Sequence, residues 1–169
     1  MLRSANNYAY IDSQNLNLGI QSLGWNLDYK KFRVYLTEKY SVKVAYLFIG
    51  FIPQNQELYS SLQKNGYILK FKPVLTNKDG SHKGNVDADL VLQVAIDYFE
   101  KNFDKAVLIT SDGDFYSVVN FLYEKRKLEK VISPYYKTCS SLLKSTAKDK
   151  LVFVNNLKKK LQYVKKNTA

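Results

Sequence analysis

Asp12, Asp87, Asp89, Asp112 and Asp114 are five of only 15 acidic residues in the chain, and each falls at the boundary of a helix-like stretch. Asp12 closes the apolar run 8–12. Asp112 and Asp114 follow the apolar run 106–110 in Thr-Ser-Asp-Gly-Asp-Phe, and Asp87 and Asp89 open a long helical pattern. Clustering of this kind needs a cause in a chain whose net charge is +11. Carboxylates a few ångströms apart cannot all stay ionised without compensation, which comes from raised pKa values or from a divalent cation. Mg2+ and Mn2+ are hard ions that accept carboxylate oxygens and keep several waters. Such an ion, or a pair about 4 Å apart, activates water and stabilises charge on a phosphodiester. One histidine and one cysteine exclude a zinc set.

Other side chains take supporting parts. Asn15, three positions after Asp12, is placed to orient Asp12 or to serve the turn. Lys83 is a candidate for a substrate phosphate, with a solvated lysine as its ordinary alternative. Thr110 and Ser111 are placed to hydrogen-bond the acids. Asp114 and either of Asp87 and Asp89 also have a plain structural use as helix caps. Ser-His-Asp catalysis would need His82, and no nucleophile elbow accompanies it. The Asp-x-Asp pattern of haloacid dehalogenase-type phosphatases fails at Gln14.

Helical phase separates Asp87 from Asp89. At about 100° per residue, Asp89, Gln93, Asp97 and Glu100 form one polar stripe. Asp87 shares its side with Val91, Val94 and Tyr98, predicted to face a sheet. Asp87 is therefore the better ligand and Asp89 the secondary one.

These acids must be positioned by the elements around them. Strands are expected over 8–12, 42–51, 67–72, 106–110, 131–132 and 151–154. The apolar run 42–51 suits a strand covered on both faces, and the alternation before Pro73 suits a sheet edge. Helices are expected to Leu23 after a polar turn at 13–17, after an Asp28 cap, around Leu58–Tyr59–Leu62, over 87–101, through Phe115–Leu122, and over 139–147. A basic amphipathic helix is expected over about 155–166. Residues 76–86 read as a polar loop. Strands alternating with helices predict a mostly parallel sheet with helices on both faces, and in such folds ligands bind beyond the carboxyl ends of the strands.

The 169 residues suit one domain, with a core over about 8–155. Lysine and arginine number 26 and the sequence pI is about 9.5, a balance that favours nucleic acid as partner. A lone cysteine, Cys139, leaves no internal disulfide and fits a reducing cytoplasm. No apolar run reaches membrane-spanning length and no signal-peptide pattern opens the chain.

Three segments carry a family likeness: Tyr-Ile-Asp-Ser-Gln-Asn at 10–15, Lys-Gly-Asn-Val-Asp-Ala-Asp-Leu at 83–90 and Thr-Ser-Asp-Gly-Asp-Phe at 110–115. In order and spacing they resemble the NYN family of the PIN-like nuclease superfamily. The resemblance implies a PIN-like three-layer α/β/α sandwich and a Mg2+- or Mn2+-dependent ribonuclease acting on RNA, with DNA not excluded. It implies catalytic and metal-binding roles for Asp12, Asp87, Asp112 and Asp114, and matches Asn15 to the family asparagine. Many members have Ser-Gly-Asp-x-Asp-Phe as the third motif, and others carry a further acid where this chain has Gln93. Family members often self-associate, which leaves a homodimer open. The alternative reading is a non-catalytic nucleic-acid or protein-binding module on the same fold.

Overall fold

The structure is a computed structural model that describes residues 4–72, 75–76, 82–83 and 87–165, the two short pairs by backbone alone. In chain order the strands are β1 (Asn7–Asp12), β2 (Val42–Gly50), β3 (Ile68–Lys72), β4 (Leu75–Thr76), β5 (His82–Lys83), β6 (Ala106–Ile109), β7 (Leu128–Ser133) and β8 (Leu151–Phe153). Six of them form one sheet in the order β3-β2-β1-β6-β7-β8, parallel throughout. The chain builds outward from β1 to β2 and β3, then crosses to β6 and builds outward the other way. Strand order therefore reverses between β1 and β6, and a crevice opens beyond their carboxyl ends.

The helices are α1 (Ser13–Gln21), α2 (Tyr29–Tyr40), α3 (Gln56–Lys64), α4 (Asp87–Phe99), α5 (Tyr116–Glu124), α6 (Ser141–Ala147) and α7 (Lys158–Leu161). Alternation along the strands sends Ala9, Ile11, Val107 and Ile109 to one face, where they meet Leu16, Phe32, Leu36, Leu62 and Leu161 of α1, α2, α3 and α7. Tyr10, Ala106 and Leu108 point to the other face, against Leu90, Val94, Val119 and Leu143 of α4, α5 and α6. The result is the three-layer α/β/α sandwich that the strand–helix alternation predicts. Fully burying a side chain such as Leu108 or Ile109 stabilises by roughly 1.5–3 kcal/mol. β1 and β6 are filled on both faces in this way, so the junctions at their ends stand on rigid supports.

The Asp28 cap is present, its carboxylate accepting the Lys31 N–H at 3.0 Å, and β3 lies at the sheet edge. Four expectations need correction. Helix α1 begins at Ser13 with no intervening turn, because Asp12 itself caps it. Residues 76–86 are not loop throughout, since β4 and β5 pair antiparallel through Leu75↔Lys83 and Thr76↔His82. The C-terminal helix stops at Leu161 instead of running on to about 166. Gln162 bridges Leu27, and the Tyr163 N–H bonds to the Asn26 carbonyl at 2.8 Å, so strand-like pairing takes the backbone groups that a longer helix would use. Lastly, Asp97 leaves the polar stripe it was grouped with. It lies 2 % exposed, on the buried face of α4 with Leu90 and Val94, while Val91 is exposed.

Candidate metal centre

The three acidic segments meet at the crevice. Asp12 is the last residue of β1 and the N-cap of α1, and its carboxylate accepts the Asn15 N–H at 3.1 Å. Asp112 caps the short 3-10 turn Gly113–Phe115 that follows β6, and its Oδ1 accepts the Asp114 N–H at 2.9 Å. Asp87 is the first residue of α4, the helix laid across β1. Asp87, Asp112 and Asp114 each offer an oxygen within 4.8 Å of the others'. Asp87 and Asp112 are half-buried and Asp114 is exposed, so the group opens on solvent.

Asp12 stands beside this trio and outside the 4.8 Å set. Burial pushes its carboxyl up to about 6, and the charges of Asp87 and Asp112 push the same way. The N–H of Asn15 and the hydroxyl of Thr110 oppose the shift by donating to it. Thr110, 1 % exposed, also accepts the Asp112 N–H at 3.1 Å. One hydroxyl thus joins the acid of β1 to the acid that follows β6. Asn15 makes a second tie, its Oδ1 taking both the backbone N–H and the hydroxyl of Ser111 at 2.8 Å. Its side chain is committed to Ser111, and only its backbone N–H reaches Asp12.

Asp89 is exposed and remains apart from the trio, lining a groove with Lys70 and Lys72. Of the two acids that open α4, Asp87 is the one in the converging trio. The side chains of Lys83 and His82 lie outside the described residues.

Sequence reasoning missed two residues that shape the site. Asp97 accepts from the Tyr10 hydroxyl at 2.8 Å, Gln93 Nε2 at 3.2 Å and Asn102 Nδ2 at 3.0 Å. This pins α4 to β1 two residues before Asp12, and burial together with Asp97 drives the Tyr10 hydroxyl far above its ordinary pKa. The signal was available, because Asp87, Leu90, Val94 and Asp97 follow one helical stripe. Ser140 is the other. Its N–H bonds to the Ser111 carbonyl at 3.0 Å, and any Cβ at position 113 would collide with its hydroxyl oxygen. Close approach is the reason for glycine between Asp112 and Asp114.

The donor set is all oxygen and all carboxylate. That chemistry fits a hard divalent cation and no soft one. Three converging carboxylates repel one another, and a bound cation would relieve that repulsion.

Comparison with known proteins gives a family match, a relative and a structural likeness. The family model described as the NYN domain matches residues 8–154. A relative, the "low amplitude and bright protein LabA" of Synechococcus elongatus, is 27% identical over 132 residues, covering 73% of this chain and 71% of that protein. A solved structure of a protein of unknown function from Vibrio parahaemolyticus superposes with a TM-score of 0.72 at 23% identity, covering 91% of this chain and 95% of that one. The second likeness speaks to the fold alone.

Proposed function

The chain belongs to the NYN domain family, and from that premise we propose that it is a nuclease hydrolysing phosphodiester bonds of RNA with a divalent cation, Mg2+ or Mn2+. The observation that carries the reading is the convergence of Asp87 with Asp112 and Asp114, 25 and 27 positions further on in sequence, to within 4.8 Å at the crevice where strand order reverses. Family membership supports nuclease chemistry in general, and the net charge of +11 supports a polyanionic substrate.

Asp87, Asp112 and Asp114 would hold the ion, with Asp12 beside them and Asp89 too remote for a direct share. A divalent ion bound there supplies positive charge that stabilises a phosphodiester undergoing attack and makes water more acidic. The chain's own residues do the positioning. Thr110 and Asn15 fix the Asp12 carboxylate, Ser111 is held by Asn15, and the cap at Asp112 orients Asp114. Lys83 keeps its proposed part as a phosphate contact. The buried Cys139 suits a reducing cytoplasm, and no helix among the described residues is long and apolar enough to cross a membrane.

Gln93 favours a single ion. It occupies the position where other members carry a further acid, and it gives its amide to Asp97. The same substitution favours the second reading, a nucleic-acid-binding module without turnover.

The test is cleavage of single-stranded and structured RNA in Mg2+, Mn2+ or chelator, beside Asp112→Asn. Cation-dependent cleavage lost in a folded Asp112→Asn protein is expected. Undiminished cleavage by that variant would refute the assignment, and cation-independent binding without cleavage would select the second reading.

A further inference from the structure

At the opposite end of the sheet, where β6, β7 and β8 begin, lies a cleft of about 490 Å³. Four cations line it, Lys105, Arg126, Lys148 and Lys150, against one acid, Glu124. We propose that this cleft is a second phosphodiester-binding site, taking a stretch of single-stranded RNA that lies away from the acid cluster.

Three observations carry this. The cations are poorly neutralised. Lys105 pairs with Glu129 at 3.2 Å, and the Lys148 ammonium sits 4.9 Å from the centre of the Tyr123 ring. The side chains of Arg126 and Lys150 have no ion pair or hydrogen bond among the described residues. Asp149, the remaining acid nearby, accepts the Tyr123 hydroxyl at 3.0 Å.

The backbone is the second observation. Arg126 (φ 57) and Lys148 (φ 50) both hold positive φ, at the ends of α5 and α6. Glycine is the strain-free choice there, and a side chain is strained at each. A cation at a helix C-terminus recovers part of that cost through the helix dipole. Ser41 (φ 54) and Lys101 (φ 60) share this backbone elsewhere among the described residues, and of the four it is Arg126 and Lys148 whose side chains line the cleft.

Distance is the third. Seven residue steps separate Lys105 from Asp112, about 23 Å at roughly 3.3 Å per residue. That line runs along the buried strand β6, so an RNA strand touching both sites must take a longer path over the surface. The cleft can therefore add affinity for a long strand without touching the scissile bond. The RNA as ligand rests on the nucleic-acid part of the reading above, but the binding itself needs no cleavage.

The experiment measures binding of a single-stranded RNA of about twenty nucleotides by fluorescence anisotropy across a salt series in chelator. It compares the parent chain, the cleft variant Arg126→Gln/Lys150→Gln, and the control Lys30→Gln/Lys64→Gln, which removes the same charge from exposed lysines elsewhere. Each phosphate contact on a single strand contributes about 0.7 to the slope of log K against log salt, so the cleft variant is expected to lose about 1.4 and the control nothing. An unchanged slope in the cleft variant overturns the proposal. An equal loss in the control overturns it too, since the effect is then general charge. A third arm titrates inorganic pyrophosphate, and saturable binding of it with no change in the RNA slope would make the cleft a small-anion site instead. If no RNA is cleaved under any cation, the nuclease reading fails while the slope comparison stands.

Discussion

Asn15 Oδ1 accepts two hydrogen bonds from Ser111, one from its backbone N–H and one from its hydroxyl, both at 2.8 Å and across 96 residues of sequence. The pair straddles the point where strand order reverses, and Ser111 is the residue before Asp112. Replacing Asn15 by Ala leaves the N–H and hydroxyl of a buried serine without their acceptor, at about 1–3 kcal/mol per unsatisfied group. Thermal unfolding of Asn15→Ala should show that loss. Mn2+ titration should show weaker half-saturation, because Asp112 is no longer held against β1. Unchanged values in both would deny Asn15 a positioning part.

Asp12 predicts a pH-dependent cost of keeping the site without cation. Its carboxyl stands at about 6 in the folded protein against an ordinary 3.8, so folding tightens its hold on a proton. Between those values the folded state carries more protons than the unfolded one, and stability falls as pH rises through the window. Above about pH 6 the full penalty applies. Asp12→Asn should therefore be more stable than the parent at pH 7.5 in chelator, by about 1–3 kcal/mol at roughly 1.4 kcal/mol per unit. The difference should vanish below about pH 4. Denaturant melts at both pH values check this, and a variant less stable at pH 7.5 would contradict it.

Gly113 predicts a clash that can be rescued. In Gly113→Ala the new methyl meets the hydroxyl and Cβ of Ser140, and overpacking of this kind costs typically 1–3 kcal/mol. Ser140→Gly removes the obstacle, so the double variant should recover most of the loss of the single one. A double-mutant cycle by chemical denaturation reads the coupling. Simple additivity would mean that close approach does not explain this glycine.

Tyr10→Phe tests the anchor beneath the acids. It removes a donor to the buried Asp97 carboxylate, a charge-assisted bond worth roughly 1.5–3 kcal/mol. Asp97→Asn should cost at least as much, since both carboxylate oxygens accept and the amide keeps only one acceptor. Both variants should keep a cation-dependent rise in melting temperature, because Asp97 is absent from the converging trio. Loss of that rise in Asp97→Asn would place Asp97 in the metal centre.

Much of this protein is written locally and could be read without coordinates. Strand and helix periods, the Asp28 cap, and the acids at the ends of β1 and β6 all follow from neighbours within a turn or a strand. Tertiary structure alone decided what depends on partners distant in the chain. Parallel spacing does not reveal strand order, so the reversal between β1 and β6 had to come from packing. The burial of Asp97 depended on a tyrosine 87 positions earlier, and the early end of α7 depended on pairing with residues near Leu27. Hydrophobic periodicity says which side of an element is covered and never by what. A carboxylate that finds three donors can lie on the covered side, and a backbone offered a strand partner can abandon a helix.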